Sequence, residues 1–70
     1  MKNKLRRLLR LPRVGEASGL KRTQILEHVA KGEFPKPIKL TSSGRAIAWD
    51  EDEIIAWQEA RLAKRDANVA

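Results

Sequence analysis

Ser18-Gly19-Leu20-Lys21-Arg22-Thr23-Gln24-Ile25-Leu26-Glu27-His28-Val29-Ala30-Lys31-Gly32 is the stretch on which the fold turns. Gly19 can take a positive φ at no steric cost, so it stops the helix before it. Leu20 is the apolar residue of the turn. From Lys21 to Lys31 the pattern is helical, because Ile25, Leu26 and Val29 fall within about one hundred degrees of each other on a wheel. Gln24, Glu27 and Lys31 lie opposite, with Thr23 and His28 on the flanks. Lys31 followed by Gly32 supplies a cationic last turn and a glycine stop. A glycine-containing turn of this length lets two helices cross steeply, as in a helix-turn-helix.

On the N-terminal side, Leu9-Arg10-Leu11 alternates as a short strand would. Pro12 suits the first turn of a helix, where its missing N–H costs nothing. Val14 and Ala17 are expected to face the core from that helix of barely two turns. Residues 1–8 read as a loosely ordered basic arm, with Leu5, Leu8 and Leu9 lending it weak amphipathic character. On the C-terminal side, Phe34-Pro35-Lys36-Pro37 cannot be helical, since its prolines remove donors and push their neighbours to extended geometry. Ile38-Lys39-Leu40 and Arg45-Ala46-Ile47-Ala48-Trp49 are strand candidates joined by the turn cluster Thr41-Ser42-Ser43-Gly44, which together make a short hairpin.

Asp50 to about Arg65 is the clearest helix. Asp50 with Glu53 three residues on is a capping-box pattern, and the run Asp50-Glu51-Asp52-Glu53 suits the positive end of the helix dipole. Ile54 and Trp57 share one face, with Ile55 and Leu62 beside it. The expected layout is an arm at 1–8, one domain at 9–66 and a frayed tail at 67–70.

The fold class that these pieces spell is mainly α with a short β-hairpin wing, a winged helix-turn-helix. At 70 residues there is room for one small domain with a small core. Phe34, Trp49 and Trp57 are needed for that core and are too few for a stacking platform. Without cysteine, disulfides, thiolate metal sites and cysteine nucleophiles are excluded, and a single histidine, His28, excludes a histidine-rich metal site. Asp50/Asp52 and Glu51/Glu53 are explained by helix capping rather than acid–base chemistry. No catalytic site, cofactor, metal or small-molecule substrate is therefore expected. No apolar run approaches a membrane span, and no h-region of a signal peptide is present, so a cytoplasmic location is expected.

The charge is polarised. Net charge is +6 overall, with +6 in residues 1–13, +3 in residues 14–49 and −3 in residues 50–70. A basic front with an acidic back suits a polyanion, whose phosphates supply most of the non-specific affinity. In a winged helix-turn-helix the second helix enters the major groove with its N-terminal residues at base edges. The candidate recognition residues are Lys21, Arg22, Thr23, Gln24, Glu27, His28 and Lys31. Gln24 can pair bidentately with adenine, and Arg22, on the core side of the wheel, is expected to reach phosphate. For His28 the competing reading is a ring half-packed at the edge of the apolar face. Lys39, Thr41, Ser42, Ser43 and Arg45 form a candidate wing on the DNA backbone. Lys2, Lys4, Arg6, Arg7 and Arg10 form a candidate arm that orders along DNA.

Beyond these local signals, Arg10-Leu11-Pro12-Arg13-Val14, Ser18-Gly19-Leu20-Lys21-Arg22-Thr23-Gln24-Ile25, Gly32-Glu33-Phe34-Pro35-Lys36-Pro37-Ile38-Lys39-Leu40, Ala48-Trp49 and Glu53-Ile54-Ile55-Ala56-Trp57 together resemble the AlpA-type phage and prophage regulators. The resemblance runs from about residue 9 to residue 66. It implies an excisionase-like or MerR-like winged helix encoded on a mobile element, with no enzyme activity. It also implies a regulator of a gene such as that of an integrase, with double-stranded DNA as partner. A lone domain of this size makes few contacts, so further copies binding cooperatively on the DNA are expected. Lys21 stands where relatives usually have a capping Ser, which gives up about 1 kcal/mol of cap and adds a phosphate-binding charge. Leu26 and Glu27 stand where relatives often have Tyr and a base, so the target sequence does not carry over. Two other functions fit the same fold. One is an excisionase that bends attachment-site DNA. The other is a small protein-binding inhibitor, a reading motivated by Glu27 on the DNA-facing side.

Overall fold

In the computed structural model, which describes residues 5–67, each local signal above resolves into an element. Strand β1 is Leu8–Leu9, helix α1 Leu11–Ser18, helix α2 Arg22–Ala30, strand β2 Ile38–Lys39, strand β3 Ile47–Asp50 and helix α3 Glu51–Ala67. The expected fold class is correct: three helices and a small antiparallel sheet.

Pro12 lies in the first turn of α1, and Gly19 ends that helix at φ 77°, its N–H donating to the Gly15 carbonyl. Gly32 takes φ 76° after α2. At the start of α2, where the Lys21 side chain offers no capping oxygen, the cap is supplied in part from within the helix. Gln24 Oε1 accepts the Lys21 N–H at 2.9 Å, satisfying a donor that the lysine side chain cannot serve.

The sheet has the order β1-β3-β2, all antiparallel. β2 and β3 are the expected hairpin, with Ile38 opposite Ala48 and Lys39 opposite Ile47. The hairpin is extended toward its turn by the Leu40 N–H donating to the Ala46 carbonyl at 2.8 Å. β1 lies one residue earlier than the alternation suggested, placing Leu8 opposite Asp50 and Leu9 opposite Trp49. The arm is consequently not free as far as residue 8. The Arg7 carbonyl accepts the Glu51 N–H at 2.8 Å, and Arg6 Nε donates to Asp50 Oδ2 at 2.6 Å.

The core takes one residue from each helix, one from β3 and one from the loop before β2: Val14 from α1, Ile25 from α2, Phe34 from the loop, Trp49 from β3 and Ile54 from α3. Leu9, Leu11, Leu20, Val29, Ile47 and Trp57 pack around it. Phe34 stands edge-on to both tryptophans, 5.0 Å from Trp57 and 6.5 Å from Trp49, an arrangement that suits the ring quadrupoles. Each indole N–H ties down the proline-rich loop, Trp49 to the Pro35 carbonyl at 2.8 Å and Trp57 to the Glu33 carbonyl at 3.3 Å. The hairpin that begins at Ile38 is thereby held against α3.

Some expectations of burial fail. Ala17, Leu26, Ile55 and Leu62 are exposed, and the core-facing residues of α1 are Val14 with Leu11. In so small a domain one buried residue per helix fills the space, so the second apolar row stays in water. Among the described residues no helix is long and apolar enough to cross a membrane.

Candidate nucleic-acid interface

The candidate site residues lie on α2 and its flanks, on the turn that joins β2 to β3, and on the chain that enters α1. Lys21, Arg22, Thr23 and Gln24 form the first turn of α2, all exposed, with no acid in that turn. Glu27 follows on the same helix and is also exposed. On the wing, Lys39, Thr41, Ser42, Ser43 and Arg45 are exposed. The turn is held locally: Thr41 and Ser43 hydroxyls are 3.0 Å apart, Ser43 Oγ accepts the Arg45 N–H, and the Gly44 N–H donates to the Thr41 carbonyl. A side chain added at Gly44 would meet the Lys39 stem at 3.6 Å.

Between α1, α2 and the wing lies an open cleft. Arg10, Arg22 and Arg45 line it over a floor of Leu11, Pro12, Gly15, Ile25 and Ile47. The structure thus brings together arginines that the sequence assigned to three separate parts: arm, recognition helix and wing. Arg22 is exposed at the mouth of this cleft rather than turned toward the core, while Ile25 supplies the buried side of the helix.

The other arm residues are placed differently. Arg6 pairs with Asp50, and Arg7 approaches Glu51 at 3.8 Å. Asp50 is almost buried, and its second oxygen caps α3 by accepting the Asp52 N–H at 3.0 Å. Its hydrogen bond to Arg6, followed by its Coulombic attraction, holds the guanidinium even more firmly protonated. Arg6 is therefore a clip for the N-terminus of α3. Lys2 and Lys4 lie outside the described residues.

His28 also parts from the rest of α2. Its Nδ1 lies 2.8 Å from Glu33 Oε1, in a groove with Trp57, Arg61 and Leu20 against α3. The hydrogen bond to His28 holds the Glu33 carboxyl below the usual carboxylate value. Lys31 is the exposed C-cap of α2, about 14 Å from the first turn at 1.5 Å per residue. These two residues do not join the surface formed by Lys21–Gln24.

The electrostatic polarity is set by β3. Arg45 leads into one end of that strand, and the acidic first turn of α3 leaves the other. Five residues of extended chain separate them, about 16 Å. The basic cleft and the Glu51-Asp52-Glu53 run therefore occupy opposite ends of the sheet.

The sequence offered no signal for the Arg10–Arg22–Arg45 cleft beyond the position of Arg10 and Arg22 at the starts of two helices joined by a tight turn. Nor did it reveal that Gln24 serves the cap.

The family described as "Prophage CP4-57 regulatory protein (AlpA)" matches residues 7–62 of this chain. The chain is also 42% identical over 59 residues to the "Uncharacterized protein ORF88" of Enterobacteria phage P4. That alignment covers 84% of this chain and 65% of the phage protein, so the chain spans less than two thirds of its relative's length.

Proposed function

The chain belongs to the AlpA family, a family of phage DNA-binding regulators, and from that premise we propose that it binds a specific duplex DNA site to regulate a nearby gene. An integrase gene on the same mobile element is the natural candidate target. In this reading α2 enters the major groove with Lys21, Thr23 and Gln24 at base edges, while Lys39 and the wing hydroxyls reach the backbone. The protein works in the cytoplasm, without cofactor or catalytic step. The observation that carries this is the exposed, acid-free first turn of α2, flanked by Arg10 and Arg45 at the end of the sheet remote from the acidic turn of α3.

Gln24 needs one adjustment to read adenine. Its Oε1 is committed to the Lys21 N–H in the free protein, so base pairing uses Nε2 alone or exchanges the cap for the base. Glu27 is a carboxylate on the same helix, and it can accept from cytosine N4. That residue also supports a second reading, in which α2 docks on a protein and DNA binding is weak and sequence-blind.

A methylation-interference footprint on the DNA flanking the protein's own gene and the nearest integrase gene tests the proposal. Interference at guanine N7 within a short interval is expected, because N7 lies in the major groove. Protection spread evenly along the probe, with no guanine sensitive, would contradict it. The bend angle of the complex then separates a regulator from an excisionase, since bending costs energy that only extra contacts recover.

A further inference from the structure

We propose that Arg10, Arg22 and Arg45 form a single phosphodiester clamp: the cleft between α1, α2 and the wing seats one backbone phosphate of the duplex and fixes the register at which α2 enters the groove. This rests on the DNA-binding reading above and adds to it which residues share a contact.

Three cations from three elements converge on one cleft, and the other residues lining it are Leu11, Pro12, Gly15, Ile25 and Ile47, with no carboxylate. Among the described residues Arg6, Arg7, Arg13 and Arg65 all have an acidic partner within 4.0 Å, whereas Arg10, Arg22 and Arg45 have none; the remaining arginine, Arg61, also lacks one but lies over the Trp57 ring, 6.0 Å from its centroid. Like charges gathered without a counter-charge repel each other, and an anion seated among them removes that repulsion. Guanidinium is the side chain whose planar fork matches phosphate oxygens two at a time. Arg10 is also the N-cap of α1, and Arg22 opens α2. Neither helix has an acid in its first turn to offset these cations.

Position follows from connection. Arg10 is one residue past the β1 strand that pairs with β3, and Arg45 precedes β3 itself. A phosphate held by both is fixed relative to the sheet, and Arg22 then sets the start of α2 against it. The clamp is a register pin, with sequence read next to it by Lys21, Thr23 and Gln24.

A shared phosphate behaves differently from three separate contacts. Each independent contact contributes about 0.9 to the slope of log affinity against log salt. Three independent arginines would thus lose about one unit singly and about three together. A clamp on one phosphate loses well under one unit singly, because two cations remain, and only about one unit in the triple variant.

The test is duplex affinity by fluorescence anisotropy across a salt series, on the native flanking DNA, for the wild type, Arg10→Gln, Arg22→Gln, Arg45→Gln and the triple variant. Circular dichroism melts confirm that each is folded. The expected result is a small slope change in each single variant and a loss of about one unit in the triple, with affinity losses that do not add. A triple loss near three units would overturn the clamp and leave DNA binding intact. So would an unchanged slope in a triple variant whose parent binds. A parent that binds no duplex would refute the DNA-binding reading itself, and the clamp with it. Inorganic phosphate is titrated as a separate arm. Phosphate binding that competes with duplex on the wild type and is lost in the triple variant is expected; phosphate binding at the cleft that leaves duplex affinity unchanged would assign it to a free anion and overturn the duplex clamp.

Discussion

Replacing each tryptophan by phenylalanine separates the two indoles that hold the proline-rich loop. Trp49 is fully buried, and its Nε1–H is the partner of the Pro35 carbonyl at 2.8 Å. Trp49→Phe leaves that part-buried carbonyl unpaired, at about 1–3 kcal/mol. Replacing the fused two-ring indole by one ring opens a void of about 40 Å³, which adds roughly 1 kcal/mol. The total is about 2–4 kcal/mol, out of about 4–10 for a domain of this size. Trp57 is only half-buried, and its bond to the Glu33 carbonyl is 3.3 Å and exposed to water. Trp57→Phe keeps a ring against Phe34 and loses a bond that water replaces, so its cost stays below about 1 kcal/mol. In thermal melts followed by far-UV circular dichroism, Trp49→Phe should lower Tm by roughly 10–25 °C and Trp57→Phe by at most about 8 °C. Equal shifts, or a larger one for Trp57, would refute the view that the buried clip at Pro35 anchors the hairpin.

Gln24→Ala removes both a base-edge candidate and the acceptor of the Lys21 N–H, and should reduce discrimination between sites more than overall affinity; competition with random duplex measures this. Lys39→Gln should lower the salt slope of duplex binding by about one unit in anisotropy titrations, since Lys39 lies outside the arginine cleft and would contact its own phosphate. The Glu33 carboxyl is held below its unfolded value by His28, so the pair contributes stability above about pH 4.5 that is lost as pH falls through and below that value. Melts of wild type and Glu33→Gln should therefore differ at neutral pH and converge in acid.

Most of the fold was legible because its signals are local. Gly19, Gly32 and Pro12 fix helix ends through their own backbone preferences, and each stands where the sequence placed it. Asp50 caps α3 through its own side chain, as its type and position suggested. What escaped is decided by contacts distant in the chain. Leu8 and Leu9 become a strand only because Asp50 and Trp49 lie opposite, and two residues carry no alternation to detect. Arg6 left the arm because Asp50, 44 residues on, needed a partner. His28 is held by Glu33, five residues downstream across a turn that no helical spacing describes. Arg10, Arg22 and Arg45 were each singled out, but their meeting depends on how α1 crosses α2 and how the hairpin folds back. Charge type is written in the sequence, and the sharing of one cleft is not.

The most direct test of sequence-specific duplex binding is the ratio of affinities for the DNA flanking this protein's own gene and for random duplex, each at two salt concentrations. We expect a preference of about a thousandfold or more, the lower end for specific DNA binders. No preference, together with a steep salt dependence on both probes, would leave only a basic surface and contradict a base-reading α2.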